Sequence, residues 1–75
     1  MVLKNPEKYK GYSKHPLEDN TIRQVIKATI LPSNTTGFDL RILFEDGVKL
    51  YDWSPTIIGA KQIFAFHIET GAKWE

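Results

Sequence analysis

The sequence predicts an α+β domain: a small antiparallel β-meander with a short helix and a C-terminal β-hairpin. Three observations carry that reading. Phe38, Leu40, Ile42 and Phe44 alternate with Asp39, Arg41, Leu43 and Glu45, and Val48 and Leu50 resume the alternation after Gly47, which is the period of half-buried strands joined by a turn. Ile22 to Leu31 is rich in isoleucine and closed by Pro32. Beyond Ser54-Pro55 the period of two is lost, and Glu69-Thr70-Gly71 then repeats the spacing of Glu45-Asp46-Gly47.

The central hairpin, Phe38–Phe44 with Val48–Trp53, admits two registers. A two-residue Asp46-Gly47 turn sets Lys49 across from Phe44 and splits the apolar stripe. A three-residue loop, Glu45-Asp46-Gly47, closed by a glycine bulge pairs Phe44 with Val48 and Ile42 with Leu50, so that all six apolar residues share one face. A one-residue slip moves a whole set of side chains to the other face, so burial selects the bulged register, with Gly47 at positive φ.

Residues 1–21 form a polar N-terminal segment with a short helix, and residues 22–75 form the single small domain. Asn5 is the candidate N-cap, Pro6 suits the first helical position, and Gly11 ends the turn. Tyr9 and Tyr12 are read as a lid on the sheet, with base stacking as the alternative. His15-Pro16 is extended or a turn. In the first strand Ile22, Ile26, Ala28 and Ile30 are assigned to one face, and Arg23, Val25, Lys27 and Thr29 to the other. The short loop after Pro32 makes this strand the neighbour of the next. Ser54 is read as the cap of a helix over Thr56–Phe64, with Pro55 at its start and Ile57, Ile58 and Ile63 as anchors; Gly59 weakens it by about 1 kcal/mol relative to alanine, and a helix broken near Gly59 is the alternative. In the terminal hairpin Ile68 pairs with Ala72 and Phe66 with Trp74.

Composition narrows the function. The chain has 75 residues, 41% hydrophobic and 25% charged, with a net charge of +1 and no cysteine. Disulfides and thiolate metal sites are excluded, and a cytoplasmic location is expected. There is no apolar run long enough for a transmembrane helix, nor a secretory signal. Lys4, Lys8, Lys10 and Lys14 face only Glu7 in the first stretch of chain, a mild basic bias read as a solvated tail, or alternatively as a nucleic-acid-binding arm.

The ordered pieces resemble a known family. Leu40-Arg41-Ile42-Leu43-Phe44-Glu45-Asp46-Gly47-Val48, Asp52-Trp53-Ser54-Pro55, and Phe66-His67-Ile68-Glu69-Thr70-Gly71-Ala72-Lys73-Trp74, with the Ile22–Ile30 strand before them, are similar to the small bacterial family of domains of unknown function numbered twenty-four forty-two. The segment between Ser-Pro and the last turn, Thr56 to Ala65, is shorter here. The resemblance implies a small α+β fold, bacterial or phage origin, and a setting in loci that look like toxin–antitoxin pairs. It carries no catalytic residues.

No reaction is expected. A serine nucleophile at Ser54 needs a histidine base, and neither His15 nor His67 has triad spacing; capping accounts for Ser54. Two histidines without cysteine make no metal site, there is no phosphate-binding glycine loop, and no cofactor is implied. The outward face of the central hairpin is the candidate interaction face: Arg41, Leu43, Lys49, Tyr51 and Trp53 have the composition of an interface centre. The alternative is that the face lies under the Tyr9–Tyr12 segment or the helix. The expected function is that of a small protein-interaction module. A nucleic-acid binder using this face and the basic arm is the alternative. A monomer or weak homodimer is expected, with contact through the face, because Arg23, Lys27 and Lys73 are read as edge charges that oppose strand pairing.

Overall fold

The computed structural model describes residues 1–12 and 22–75. Its strands are β1 (Lys10–Tyr12), β2 (Ile22–Pro32), β3 (Phe38–Phe44) and β4 (Lys49–Ser54), followed by one helix, α1 (Ile57–His67). The strands form an antiparallel sheet in the order β1-β2-β3-β4. The sheet is curled into a half-barrel, and the chain is an α+β domain with a single C-terminal helix.

The central hairpin has the bulged register. Ile42 pairs with Leu50, Arg41 with Tyr51 and Leu43 with Lys49. The Phe44 amide donates to the Val48 carbonyl at 2.9 Å and the Gly47 amide to the Phe44 carbonyl at 3.0 Å, with Gly47 at φ 84°. The turn is held from outside as well. Asp46 accepts from the Val48 amide at 3.2 Å and from Nε of Arg23 at 2.6 Å. The Arg23 side chain is almost buried, whereas that of Asp46 is partly exposed. The arginine hydrogen bond, reinforced by the Val48 amide and the guanidinium charge, holds the Asp46 carboxyl below its ordinary value.

The first strand departs from strict alternation. Val25 pairs with Phe44 but Lys27 pairs with Leu43, so Ile26 is an extra residue, a β-bulge. The bulge switches the parity of the strand. Arg23 and Val25 point inward before it, Ala28 and Ile30 after it, and Ile22 and Ile26 are exposed. The expectation that Ile22 and Ile26 share a face with Ala28 and Ile30, and Arg23 and Val25 with Lys27 and Thr29, is therefore corrected.

The N-terminal segment lines the second edge of β2. The Leu3 amide donates to the Ala28 carbonyl at 2.9 Å, the Ile30 amide to the Met1 carbonyl at 2.9 Å, and the Val25 amide to the Tyr9 carbonyl at 3.0 Å. Between these contacts Pro6–Lys8 makes one 3-10 turn, with Asn5 at φ 51° and no capping bond from its side chain. The expected capped helix is thus a single turn. It is tied down by Gln24, whose Nε2 lies 2.8 Å from the Tyr9 carbonyl and 2.9 Å from that of Glu7. Arg23 and Lys27 lie on an interior strand of the sheet, so they do not guard an edge as expected.

The C-terminal hairpin does not form. Residues 66 and 67, read as strand, are the last turn of α1. The helix puts Ala60 and Phe64 into the core and packs Ile63 and Ile68 against it. Positions 60, 63, 64, 67 and 68 have the spacing of one helix face, and burying Phe64 requires that geometry. Phe66 is left 85% exposed. The cap is Thr56, whose Oγ1 accepts from the Gly59 amide at 2.9 Å. Ser54 instead ends β4, buried, with Oγ 3.4 Å from the Thr56 amide. Gly59 does not break the helix, and its missing side chain leaves room for Ser54 Oγ, which a Cβ there would strike.

After Gly71, at φ 77°, the chain returns alongside residues 2–4. The Lys4 amide donates to the Lys73 carbonyl and the Glu75 amide to the Val2 carbonyl, both at 2.8 Å. Trp74 therefore bridges to Leu3, not to Phe66. Its ring meets Phe64 edge-on at 5.2 Å, and the Tyr9 ring also meets Phe64 edge-on, at 6.1 Å. The core comprises Leu3, Val25, Ala28, Ile30, Leu40, Ile42, Phe44, Leu50, Ala60 and Phe64. All of it lies on the concave face, and the convex face of β2–β4 is turned to solvent.

Candidate interaction face

Pleating decides what the convex face carries. Residues of one parity on β3 and β4 fill the core, so those of the other parity point outward. The register then sets them in rows: Lys27, Leu43 and Lys49; Thr29, Arg41 and Tyr51; Leu31, Asp39 and Trp53. The bulge at Ile26 is what brings Lys27, Thr29 and Leu31 into phase with the hairpin.

The five residues singled out from the sequence, Arg41, Leu43, Lys49, Tyr51 and Trp53, therefore stand together. Tyr51 is 64% and Trp53 46% exposed, Arg41 and Lys49 are exposed, and Leu43 is half-buried. Helix α1 and Tyr9 pack on the opposite face, around Phe64. Among the described residues, no element lies over the convex face. Of the two-residue lid, Tyr9 packs against the core, while the Tyr12 side chain and the His15-Pro16 step lie outside what is described. Lys27, Thr29, Leu31 and Asp39 share the face and were not singled out. Their signal was the loop from Ser33 to Gly37, which sets β2 against β3.

Trp53 is the least free of the five. Its Nε1 donates to the Thr36 carbonyl at 2.8 Å, and its ring lies on Gly37, where a Cβ would come within 2.6 Å of it. Gly37 itself has φ 78°. The indole thus clamps the β2–β3 loop with one side and shows the other to solvent. The Trp53 amide is taken by Asp52 Oδ1 at 2.8 Å. In the hairpin register this amide points to the outer edge of β4, so Asp52 occupies one of the donors that a pairing strand would need.

The charges are unevenly spread. Lys27, Arg41 and Lys49 surround Leu43, and none of them has an ion-pair partner among the described residues. Asp39 lies at the other end and lines one shallow depression with Arg41, Tyr51 and Trp53; Asp52, opposite Leu40 and so of inward parity, reaches that depression from the edge of β4. A second depression follows Lys27, Thr29, Leu31, Leu43, Lys49 and Tyr51.

The groups weighed for chemistry lie apart from this face. Ser54 is buried under Gly59. His67 Nε2 is 3.8 Å from Asp52 Oδ2, a loose contact at the end of α1. The described residues contain no group of three histidines or carboxylates that could hold a metal ion, and no described helix is long and apolar enough to cross a membrane. The chain matches no family model, no curated protein and no solved structure.

Proposed function

We propose that this chain is a small protein-interaction module that docks a partner protein on the convex face of its sheet. The observation that carries the reading is an outward cluster of tyrosine, tryptophan, arginine and leucine whose tyrosine and cations add nothing to the core. Large aromatic and arginine side chains dominate binding energy where they sit at the middle of a patch, and Tyr51 and Arg41 are cross-strand neighbours at the centre of this one. The resemblance read in the sequence adds a setting, a bacterial or phage locus of toxin–antitoxin type, and the absence of cysteine favours a cytoplasmic partner. No reaction is assigned to the chain.

The platform is small. Three strands about 4.8 Å apart and rows about 7 Å apart give a surface near 10 by 14 Å between Cα positions, well short of the roughly 800 Å² per partner of a standard interface. A homodimer built on this face is therefore weak, and the chain is monomeric at micromolar concentration. Capture from extracts of the source cell tests the main reading, with the full chain compared with Tyr51→Ala. The expected result is a protein retained by the wild type after nuclease treatment and lost with Tyr51→Ala. Retention unchanged by Tyr51→Ala refutes the assignment of the face. Tyr51 is a better probe than Trp53, whose removal also releases the Thr36 carbonyl.

A second reading is favoured by one observation: Lys27, Arg41 and Lys49 lack acidic partners and stand beside an exposed tyrosine, as in surfaces that stack single-stranded bases. It predicts affinity that falls with salt at a log–log slope of about −0.7 per phosphate contact. Asp39 and Asp52 beside Trp53 oppose it, because a phosphate backbone crossing both aromatics would pass two carboxylates.

A further inference from the structure

Resting on the reading above, we infer the chemistry of the partner segment: an acidic stretch of polypeptide with an apolar side chain among its carboxylates, seated over Leu43 between Lys27, Lys49 and Arg41.

Three features of the face converge on this ligand. The first is charge. Lys27 and Lys49 flank Leu43 in one row, and Arg41 follows two residues along β3, on the same face. All three cations are exposed and unpaired among the described residues. The chain as a whole carries only +1, so this is a local concentration and not a consequence of a basic protein. Carboxylates placed here meet free ammonium and guanidinium groups, and Arg41 offers the planar fork that binds a carboxylate through two hydrogen bonds.

The second feature is the apolar seat. Leu43 is half-buried between two long aliphatic stems, and Tyr51 stands diagonally next to it. Lysine stems cover apolar surface while their charged ends reach outward. An apolar side chain from the partner fits the centre, and its acidic neighbours reach the rim.

The third feature separates polypeptide from nucleic acid. The charge reverses along the face: Asp39 lies in the row of Trp53, and Asp52, whose parity on β4 is that of the core residues, reaches the same depression from the edge of the strand. A uniform polyanion long enough to stack on both Tyr51 and Trp53 meets this acidic end. A short acidic stretch that gives way to neutral or basic residues does not. The platform dimensions also match one segment of chain more closely than a folded surface.

The test uses the full chain, labelled for amide NMR. The probes are a short peptide with leucine flanked by glutamates, the same peptide with glutamine in place of glutamate, and a thymidine oligonucleotide. The expected result is that the glutamate peptide shifts the amides of Leu43, Lys49 and Tyr51 and binds at least about tenfold more tightly than the glutamine peptide. Lys27→Glu and Lys49→Glu should each remove most of that difference, and Lys61→Glu, on α1 at the opposite face, should leave it intact. Equal affinity for the two peptides at these amides overturns the acidic preference and leaves the docking face standing. Binding of the oligonucleotide there without the glutamate peptide overturns both. No shift with any probe overturns the inference, and the capture experiment then judges the face separately.

Discussion

Replacing Phe64 and Phe66 in turn separates the helix from the hairpin that the same residues resemble. Phe64 is fully buried and makes edge-on ring contacts with Tyr9 at 6.1 Å and Trp74 at 5.2 Å. Removing a buried phenylalanine ring costs about 3–5 kcal/mol, and each lost aromatic pair adds about 0.5–1.5 kcal/mol beyond the buried area. Phe64→Ala therefore belongs at or above 5 kcal/mol, by the upper end of those ranges. At roughly 0.05–0.15 kcal/mol per residue, the stability of a 75-residue chain is about 4–11 kcal/mol, so this variant is near or past unfolding. Phe66 is 85% exposed, and Phe66→Ala should change stability by no more than about 0.5 kcal/mol. Urea unfolding followed by circular dichroism gives both values, and Phe64→Leu supplies a folded intermediate case if Phe64→Ala does not fold. In a terminal hairpin Phe66 would pair with Trp74 on the buried face. A loss above about 2 kcal/mol for Phe66→Ala, or equal losses for the two alanine variants, would refute the helix and restore the hairpin.

Gly59→Ala raises helix propensity by about 1 kcal/mol, yet its Cβ would fall 2.0 Å from Ser54 Oγ; the overpacking wins, and thermal melting should show a net loss of about 1–2 kcal/mol. Thr56→Ala removes the only side-chain cap of α1 and should cost about 1 kcal/mol, measured by urea unfolding. The Asp46 carboxyl is held below its ordinary value by the Arg23 hydrogen bond, so its stabilisation is fully present above the unfolded-state value near 3.9 and is lost as pH falls through the lower folded-state value. Acid titrations should therefore show Asp46→Asn less stable than wild type at neutral pH, with the difference closing below about pH 4.

Some of this architecture was legible because one residue left few choices. Gly47 and the parity of the hairpin admit a single register that buries Phe44, Ile42, Val48 and Leu50 together, and the candidate face is the other side of that decision. The bulge at Ile26 was not legible, since isoleucine suits either face of a strand and nothing local marks the extra residue. The end of the chain misled for a different reason. Phe64, Phe66 and Ile68 alternate as a strand does, while Ala60, Ile63, Phe64 and Ile68 follow a helix face; the two patterns overlap, and tertiary packing of Phe64 chose between them. Trp74 was correctly placed against the core but given the wrong partner, because the strand it joins is the segment around Leu3. That segment carries one buried residue among exposed ones. Its role follows from the open edge of β2, which only the assembled sheet reveals.

The concave face holds the fold together, and the convex face is proposed to meet another protein. Photo-crosslinking in the source cell tests that proposal most directly, with Tyr51 replaced by a photoreactive phenylalanine analogue and, in a separate variant, exposed Thr70 replaced in the same way. A discrete protein adduct that persists after nuclease digestion is expected from position 51, and no such adduct from position 70. An adduct of equal yield from position 70, a nuclease-sensitive adduct from position 51, or no adduct from position 51 would contradict the proposal.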